Sequence, residues 1–183
     1  MRKIVSGLFL SVDGVYESPD QWHFPYWSDE MGEAVQAQME AADAILLGRV
    51  GYQEFAQYWP QQPSDGDIAD FMNNTPKYVV SNTLTSVAEW QNSTLLTGDA
   101  MAEVRKLKEQ PGKNIAMTGS GTLVASLIRE GLLDELNLLV HPILVGNRKR
   151  LFATQDEPRG LQLVETRNLP NGVLYLSYQP AAT

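Results

Sequence analysis

The stretch NIAMTGSGTLVASLIREGLLDELNLLVHPILVG, residues 114–146, carries the pattern that decides the fold. An apolar run reaches Gly119-Ser120-Gly121, a helix-like pattern continues to Gly131, and a second apolar run follows. This order predicts two parallel strands joined by a right-handed helical crossover. The glycines allow a sharp turn and a close approach to the backbone, and the free N–H groups of a helix start favour phosphate. The turn therefore fits either a phosphate site or a tight connection without a ligand.

The same alternation of strand and helix patterns runs through the rest of the chain. Good N-cap residues, Ser28 and Asp99, precede two of the predicted helices. The tail at 161–179 has two β runs around Pro170-Asn171-Gly172, which is typical of a hairpin. These patterns predict one α/β domain over 1–183, with a mainly parallel sheet and antiparallel strands at its C-terminal edge. The predicted strands are 3–12, 44–48, 77–81, 93–97, 114–118 and 135–144, and the predicted helices lie near 29–42, 52–59, 67–73, 99–108 and 123–131.

Charge and composition exclude several classes of function. The 183 residues include 22 acidic and 14 basic side chains, for a formal net charge of −8, which argues against a nucleic-acid partner. There are no cysteines and only two histidines, so disulfides, thiolate chemistry and a histidine-rich metal site are excluded. The first apolar run is broken by Ser6 and Gly7, and no stretch approaches the roughly 20 apolar residues of a membrane span. We therefore expect a cytoplasmic protein with neither a metal site nor a membrane partner.

Four predicted strands end in residues that suit a ligand. In open α/β sheets, ligands bind beyond the carboxyl ends of the strands. Glycines leave the backbone accessible at the N-termini of the helices that follow the second and fifth strands. Arg49 adds positive charge there. These features predict a nucleotide site on one rim of the sheet, with structural turns as the alternative. The four segments are 11–14, 48–51, 81–83 and 118–122.

Three common nucleotide or hydrolase motifs are missing from the sequence. No G-x-x-x-x-G-K-[ST] segment is present, which excludes a P-loop kinase or GTPase. The dinucleotide fingerprint G-x-G-x-x-G fails because Val124 stands where the third glycine belongs. No G-x-S-x-G segment provides a hydrolase nucleophile.

Six segments, in their order and spacing, together carry a resemblance to a known family. They are SVDG at 11–14, WHFPYWSDEM at 22–31, ADAILLGRVGYQEF at 42–55, PKYVVSNTL at 76–84, GSGTLVASLIREGLLDEL at 119–136 and HPILVGNRKRLF at 141–152. The chain resembles the dihydrofolate reductase-like superfamily, and within it the branch related to the reductase domain of the bacterial riboflavin-biosynthesis deaminase-reductase. This implies a three-layer fold, in which a mostly parallel central sheet with antiparallel C-terminal strands has helices on both faces.

The resemblance implies a bound NADPH, with NADH as the alternative cofactor. Ser81 and Asn82 are implied at the adenosine 2′-phosphate. Two positions depart from the family pattern, because Gly51 stands where relatives usually carry threonine and Asn82 where they often carry arginine. Loss of the arginine fork weakens the case for NADPH over NADH. The residues implied at the cofactor phosphates are Gly48, Arg49, Val50 and Gly51, and those at the pyrophosphate are Gly119, Ser120, Gly121, Thr122 and Leu123.

Two carboxylates are candidates for the proton donor that hydride transfer to a C=N bond requires. Asp29 opens the first predicted helix, where dihydrofolate reductases place a carboxylate facing the pterin, but it also fits a solvated residue that complements the helix dipole. Asp13 lies in the first loop and also fits an Asp-Gly turn. Trp22 and His23 are candidates for stacking on a flat substrate, or for packing the loop against the core. His141 is predicted to be structural.

The leading hypothesis is an NAD(P)H-dependent reductase that transfers a hydride to a small pteridine- or pyrimidine-like heterocycle. By resemblance, its activity is similar to that of 5-amino-6-(5-phosphoribosylamino)uracil reductase. One alternative is a non-catalytic nucleotide-binding module, because Gly51 and Asn82 depart from the pattern. Another is a flavin-binding protein on the same scaffold. The resemblance also implies a homodimer formed through sheet edges and the later strands.

Overall fold

Eight strands form one sheet in the computed structural model, which describes residues 1–63, 67–153 and 157–181. The order of strands across the sheet is β4-β3-β2-β5-β1-β6-β8-β7. Neighbouring strands from β4 to β6 run parallel, whereas β8 is antiparallel to both β6 and β7. The strands are β1 (Ile4–Ser11), β2 (Ala42–Gly48), β3 (Lys77–Val80), β4 (Ser93–Leu96), β5 (Asn114–Met117), β6 (Glu135–His141), β7 (Leu161–Asn168) and β8 (Leu174–Pro180).

Capping side chains satisfy free N–H groups at the starts of several helices. Oγ of Ser28 accepts a hydrogen bond from the backbone N–H of Met31 at 3.2 Å, as predicted for this N-cap. Asp99 does the same for Ala102 at 3.1 Å. None of the helices among the described residues combines the length and apolar composition that crossing a membrane requires. The helices are α1 (Asp29–Glu40), α2 (Arg49–Tyr58), α3 (Asp67–Asn74), α4 (Ala100–Glu109) and α5 (Gly121–Arg129).

Helices cover both faces of the parallel part of the sheet. Along β2, Ala44 and Leu46 belong to the core beneath α4 and α5, whereas Ile45 and Leu47 pack on the opposite face with residues of α2 and α3. Side chains alternate between the two faces of a strand, so a strand that is buried on both faces is apolar throughout. The run AILL at 44–47 has this composition for that reason. The predicted fold class is confirmed.

The boundaries differ from the predictions mainly where a proline or a turn intervenes. The predicted strand at 135–144 ends at His141, because Pro142 has no N–H to donate to a strand ladder. The C-terminal hairpin is present, and its turn is a short 3-10 helix at Pro170–Gly172 in which Asn171 is left-handed (φ 60°). This hairpin adds β8 and β7 to the edge of the sheet beyond β6.

Candidate functional site

The helix starts after β2 and β5 lie side by side at the carboxyl edge of the sheet. The two strands are neighbours, with Leu46 opposite Met117. A Cβ atom on Gly48 would lie 2.6 Å from Oγ of Ser120 and 3.1 Å from its Cβ, closer than such atoms normally approach. Glycine at position 48 therefore lets the start of α2 approach the start of α5. The N–H groups of two helix starts are brought to one edge, which favours a bound anion.

The turn Gly119-Ser120-Gly121 has open space at one end and close packing at the other. Gly119 (φ 72°) and Ser120 (φ 54°) are both left-handed, a conformation that glycine adopts without strain and serine does not. A Cβ atom on Gly119 would meet no heavy atom of the described residues within 4 Å. A Cβ atom on Gly121 would lie 2.9 Å from both the carbonyl oxygen of Leu151 and Cε1 of Tyr16. Packing therefore requires glycine at position 121, whereas the space beside Gly119 is available to a ligand.

The first turn of α2, beside the turn Gly119-Ser120-Gly121, combines a positive charge with an open backbone. Arg49 and Val50 are exposed, and Nη1 of Arg49 donates a hydrogen bond to Oε1 of Gln53 at 3.2 Å. Within the described part of the chain, a Cβ atom on Gly51 would meet nothing within 4 Å. Tyr52, one residue later, is buried in the core and anchors the helix. This combination suits a phosphate group.

Ser81 and Asn82 follow β3 and have partners within the protein. Oγ of Ser81 accepts hydrogen bonds from the backbone N–H groups of Thr83 at 3.1 Å and Leu84 at 3.0 Å. The amide of Asn82 accepts from the N–H of Gly98 at 2.7 Å and donates to its carbonyl at 3.3 Å. The two bonds between Asn82 and Gly98 tie the turn after β3 to the turn after β4. Because β2 separates β3 from β5, the pair lies roughly 10 Å along the rim from the turn after β5.

Asp13 attaches the first loop, residues 12–28, to the segment that follows β6. Its carboxylate accepts hydrogen bonds from the Ser11 hydroxyl at 2.6 Å and from the N–H groups of Val145 at 3.1 Å and Gly146 at 2.9 Å. The bond from Ser11 contributes most, followed by the two backbone bonds, and the pKa of Asp13 falls to about 2. A carboxyl group with this pKa holds no proton at neutral pH. The geometry therefore favours a structural role for Asp13 over the predicted proton donation.

Asp29 is exposed in the first turn of α1, at the same edge of the sheet. The ring of Trp27 packs on the following part of the helix, where a Cβ atom on Gly32 would lie 3.2 Å from Cζ2 of that ring. The carboxylate of Asp29 is therefore solvated and does not lie beneath the aromatic side chains of the loop. Its exposed position at the rim keeps it a candidate for the predicted proton donor.

Trp22 and His23 lie in a cluster of aromatic rings over the ends of β1 and β6. His23 stacks on Phe9, with ring centroids 4.5 Å apart and an interplanar angle of 14°. His141 makes edge contacts with Phe9 at 5.6 Å, Trp22 at 5.3 Å and Tyr26 at 5.8 Å. The two residues predicted to contact a substrate are thus brought together, and Phe9 and His141 join them.

Burial keeps both imidazoles of this cluster in the neutral form. Desolvation is the main cause that lowers the pKa of His23, and the nearby His141 lowers it further. Burial also lowers the pKa of His141, although the hydrogen bond to the Leu139 carbonyl opposes the shift. Neutral imidazoles can donate with one ring nitrogen and accept with the other, so they suit recognition of a polar heterocycle.

The first loop spans the distance between the helix starts and the aromatic cluster. At one end, Tyr16 contacts Gly121. Further along, the indole N–H of Trp22 donates to the carbonyl of Glu17 at 3.1 Å, and the Glu17 carboxylate pairs with Lys149 at 3.0 Å. The loop therefore joins the two parts of the candidate site and covers one side of the rim.

Sequence reasoning missed Phe9 and assigned His141 a structural role only. The two-residue period of a strand indicates that Phe9 and Ser11 point to the same face of β1. In the structure, Ser11 pairs with His141, which brings His141 to that face as well. The register of β1 against β6 could not be read from either segment alone. That register is what places Phe9 and His141 in one cluster.

Comparison with known proteins connects this geometry to a family. The model of the RibD C-terminal domain matches residues 2–175. The uncharacterized protein YyaP of Bacillus subtilis (strain 168) is 29% identical over 182 residues, covering 97% of this chain and 94% of that protein. The resemblance drawn from the six sequence segments is confirmed.

Solved structures share the fold. A protein assigned to riboflavin biosynthesis from Shewanella sp. PV-4 aligns with a TM-score of 0.78 and 20% identity, with 100% of both chains covered. Dihydrofolate reductase from Enterococcus faecalis has a TM-score of 0.67 and 12% identity, with 98% of this chain and 97% of that chain covered. The deaminase/5-amino-6-(5-phosphoribosylamino)uracil reductase of Thermotoga maritima has a TM-score of 0.68 and 12% identity, with 98% of this chain and 57% of that chain covered. The chain thus has a dihydrofolate reductase-like fold.

Proposed function

Since the chain belongs to the RibD C-terminal domain family, we propose that it is an NAD(P)H-dependent reductase that transfers a hydride to a small pteridine- or pyrimidine-like heterocycle. The observation that carries this proposal is the close approach of two helix starts, at Gly48 and at Ser120, on the carboxyl edge of the sheet. Open α/β sheets bind their ligands at this edge. A substrate similar to that of 5-amino-6-(5-phosphoribosylamino)uracil reductase is proposed from the family membership.

The residues on this rim fit NADPH, with NADH as the alternative. Glycine at position 48 keeps the two helix starts together, and Gly119 and Gly51 both have open space beside them. The exposed guanidinium of Arg49 adds positive charge for the phosphates. When bound, the cofactor supplies the hydride. We assign the cofactor phosphates to Gly48, Arg49, Val50, Gly51, Gly119, Ser120, Gly121, Thr122 and Leu123, and the adenosine end to Ser81 and Asn82.

The neutral side chain of Asn82 limits discrimination between the two cofactors. Its side-chain amide accepts a hydrogen bond from the N–H of Gly98 and donates one to the Gly98 carbonyl. It carries no charge to pair with a 2′-phosphate. Arginine at this position forms a charged fork that asparagine cannot replace. We therefore expect a preference for NADPH over NADH below about tenfold, or 1.4 kcal/mol.

The aromatic cluster is the proposed substrate side of the site. Trp22 and His23 lie there next to Phe9, whose face suits stacking on a flat ring. Reduction of a C=N bond leaves a nitrogen that must gain a proton. We assign this step to the carboxyl group of Asp29, directly or through a water molecule, because Asp29 is exposed at the rim, whereas the carboxylate of Asp13 is held by three hydrogen bonds.

A homodimer in the cytoplasm is proposed together with this activity. The outer strand of the sheet, β7, is exposed over most of its length, and its apolar side chains Leu163 and Val164 are 47% and 46% exposed. An exposed edge strand with apolar side chains is suited to pairing with another chain. The cell interior also maintains the supply of reduced cofactor that the proposed reaction consumes.

The test combines cofactor binding with turnover. Calorimetric titration with NADPH should show a single site, and absorbance should report NADPH oxidation when candidate pteridines and aminopyrimidines are supplied. Asp29→Asn should lower kcat by roughly a hundredfold without changing NADPH affinity, and the loss should shrink at low pH, where solvent supplies the proton. Folded protein that binds neither NADPH nor NADH refutes the proposal. Binding without any turnover favours a nucleotide-binding module, and a visible absorbance peak in the purified protein favours a flavin protein.

A further inference from the structure

One nitrogen of the His141 imidazole has no hydrogen-bond partner among the residues that the structure describes. His141 is fully buried, at 0% exposure, in the last position of β6. Its Nδ1 lies 2.8 Å from the carbonyl oxygen of Leu139, so the ring proton resides on Nδ1. Nε2 is then a hydrogen-bond acceptor, and no residue in the described part of the chain donates to it. A buried acceptor without a donor destabilises a fold, and native proteins keep few of them.

The rings around His141 do not supply the missing donor. Phe9 has no polar side-chain atom, the indole N–H of Trp22 is already donated to the carbonyl of Glu17, and the hydroxyl of Tyr26 makes no hydrogen bond to Nε2. His23 lies 6.0 Å away between ring centroids, and its own Nδ1 is also buried without a partner among the described residues. One cluster thus contains two unpaired imidazole nitrogens, which is where a polar ligand could satisfy them.

The ring of His23 occupies the position that a flat ligand would take. It is stacked on Phe9 at 4.5 Å and is covered by Phe24 at 4.2 Å. Flat heterocycles bind between aromatic faces in the same way. The backbone N–H of His23 bonds to the carbonyl of Pro19 at 2.8 Å, within the first loop itself. Movement of this loop segment would expose the face of Phe9 next to Nε2 of His141.

We propose that His141 is a specificity-determining residue of the reductase: a flat heterocycle stacks on Phe9 in place of the His23 ring, and Nε2 of His141 accepts a hydrogen bond from an N–H group on the edge of that heterocycle. This inference rests on the proposed function and narrows its substrate class. The substrate carries an amino or ring N–H donor on the edge that enters the cluster. A ring with only acceptors on that edge is rejected, because Nε2 would then remain unpaired.

The experiment uses the full chain with ¹⁵N-labelled histidine and two probes, 2-aminopyrimidine and pyrimidine, which differ by one amino group. The chain contains only two histidines, so a His23→Ala variant assigns the imidazole resonances. Binding of 2-aminopyrimidine should shift the Nε2 resonance of His141, and its affinity should exceed that of pyrimidine about tenfold. His141→Phe keeps a flat ring in the cluster without an acceptor, and should bring the two affinities within about twofold of each other.

Three results overturn the inference. The first is a wild-type Nε2 resonance of His141 that does not move when 2-aminopyrimidine is added. The second is a His141→Phe variant that retains the preference for 2-aminopyrimidine over pyrimidine. The third is failure of both probes to bind even to His23→Ala, in which the stacking position is vacated. If His141→Phe does not fold, the wild-type resonance decides alone. NADPH titration of the same samples separates this inference from the proposed function: NADPH binding with any of these negative results leaves the reductase proposal standing, whereas absent binding refutes that proposal.

Discussion

In the first turn of α2, Gly51 leaves open space where a side chain would be. A Cβ atom there would meet none of the described residues within 4 Å, and the position lies close to the exposed Arg49. Asn82, the other departure from the family pattern, is bonded in both directions to Gly98. The two departures therefore differ in their consequences. A side chain can be added at position 51 without displacing any neighbour, whereas a change at position 82 breaks the link between two turns.

We predict that Gly51→Thr strengthens NADPH binding by about three- to tenfold, because a hydroxyl at this helix start adds one hydrogen bond to a phosphate. Isothermal titration of NADPH measures the effect. Gly51→Ala is the matched control, since it adds the methyl group and the helix propensity but no hydroxyl, and it should bind as the wild type does. Equal affinities for the threonine and alanine variants would place the cofactor phosphates elsewhere.

Among the elements, the first loop depends on the segment after β6 for its position. The carboxylate of Asp13 accepts hydrogen bonds from the N–H groups of Val145 and Gly146. The backbone N–H of Tyr16 donates to the carbonyl of Lys149 at 3.2 Å. Ion pairs of Glu17 and Asp13 with Lys149 and Arg150 add to this contact. Only the ionised carboxylate of Asp13 accepts fully with both oxygens, and protonation weakens these bonds. Acid should therefore loosen the loop that joins the two parts of the candidate site.

We predict that the stability of the wild type falls more steeply than that of Asp13→Asn as the pH drops from about 4 to 2. The pKa of Asp13 is about 2 in the folded protein against an ordinary value of 3.8. Because the folded-state pKa is the lower one, the stabilisation is complete above the ordinary value and is lost as the pH falls toward 2. Urea unfolding at pH 5, 4, 3 and 2 gives the comparison. Asp20→Asn, an exposed change in the same loop, is the control and should follow the wild type. Parallel curves for the wild type and Asp13→Asn would contradict the role assigned to this carboxylate.

At the scale of the whole molecule, the two edges of the sheet are not equivalent. The outer strand β4 is short, with four residues, whereas β7 has eight and is exposed along most of its length. Long exposed edges with apolar side chains promote pairing between chains, and short ones do so less. The antiparallel hairpin therefore offers the surface on which a second copy can bind, at the opposite edge of the sheet from β4.

We predict a dimer in light scattering at micromolar concentration. Val164→Lys places a charge on the exposed edge. It should raise the dissociation constant of the dimer at least tenfold, or about 1.4 kcal/mol, and so shift the measured mass toward that of the monomer. Thr94→Lys on β4 is the matched control, because it adds the same charge to the other edge, and it should remain dimeric. A monomer mass for the wild type across this concentration range, or dissociation of the β4 variant alone, would contradict the assignment of the interface to β7.

The sequence by itself determined the order and type of the elements, because apolar periodicity and capping act over a few residues. Ser28 and Asp99 begin their helices as predicted, and the Gly119-Ser120-Gly121 turn opens α5. The parallel sheet with its antiparallel hairpin followed from the same local patterns and from the family resemblance. The segments predicted to bind phosphate lie at the carboxyl edge of the sheet, where the order of the elements places them.

Only the tertiary structure decided which distant residues meet. Lys77, in a segment that reads as an ordinary strand, is fully buried, because its Nζ donates to the carbonyls of Met72, Asn73 and Thr75 at the end of α3. Phe9 and His141 are far apart in sequence, and only the register of β1 against β6 places them in one aromatic cluster. Contacts of this kind depend on how strands pair and how loops cross the rim. These are long-range packing choices, and the local pattern of a single sequence does not contain them.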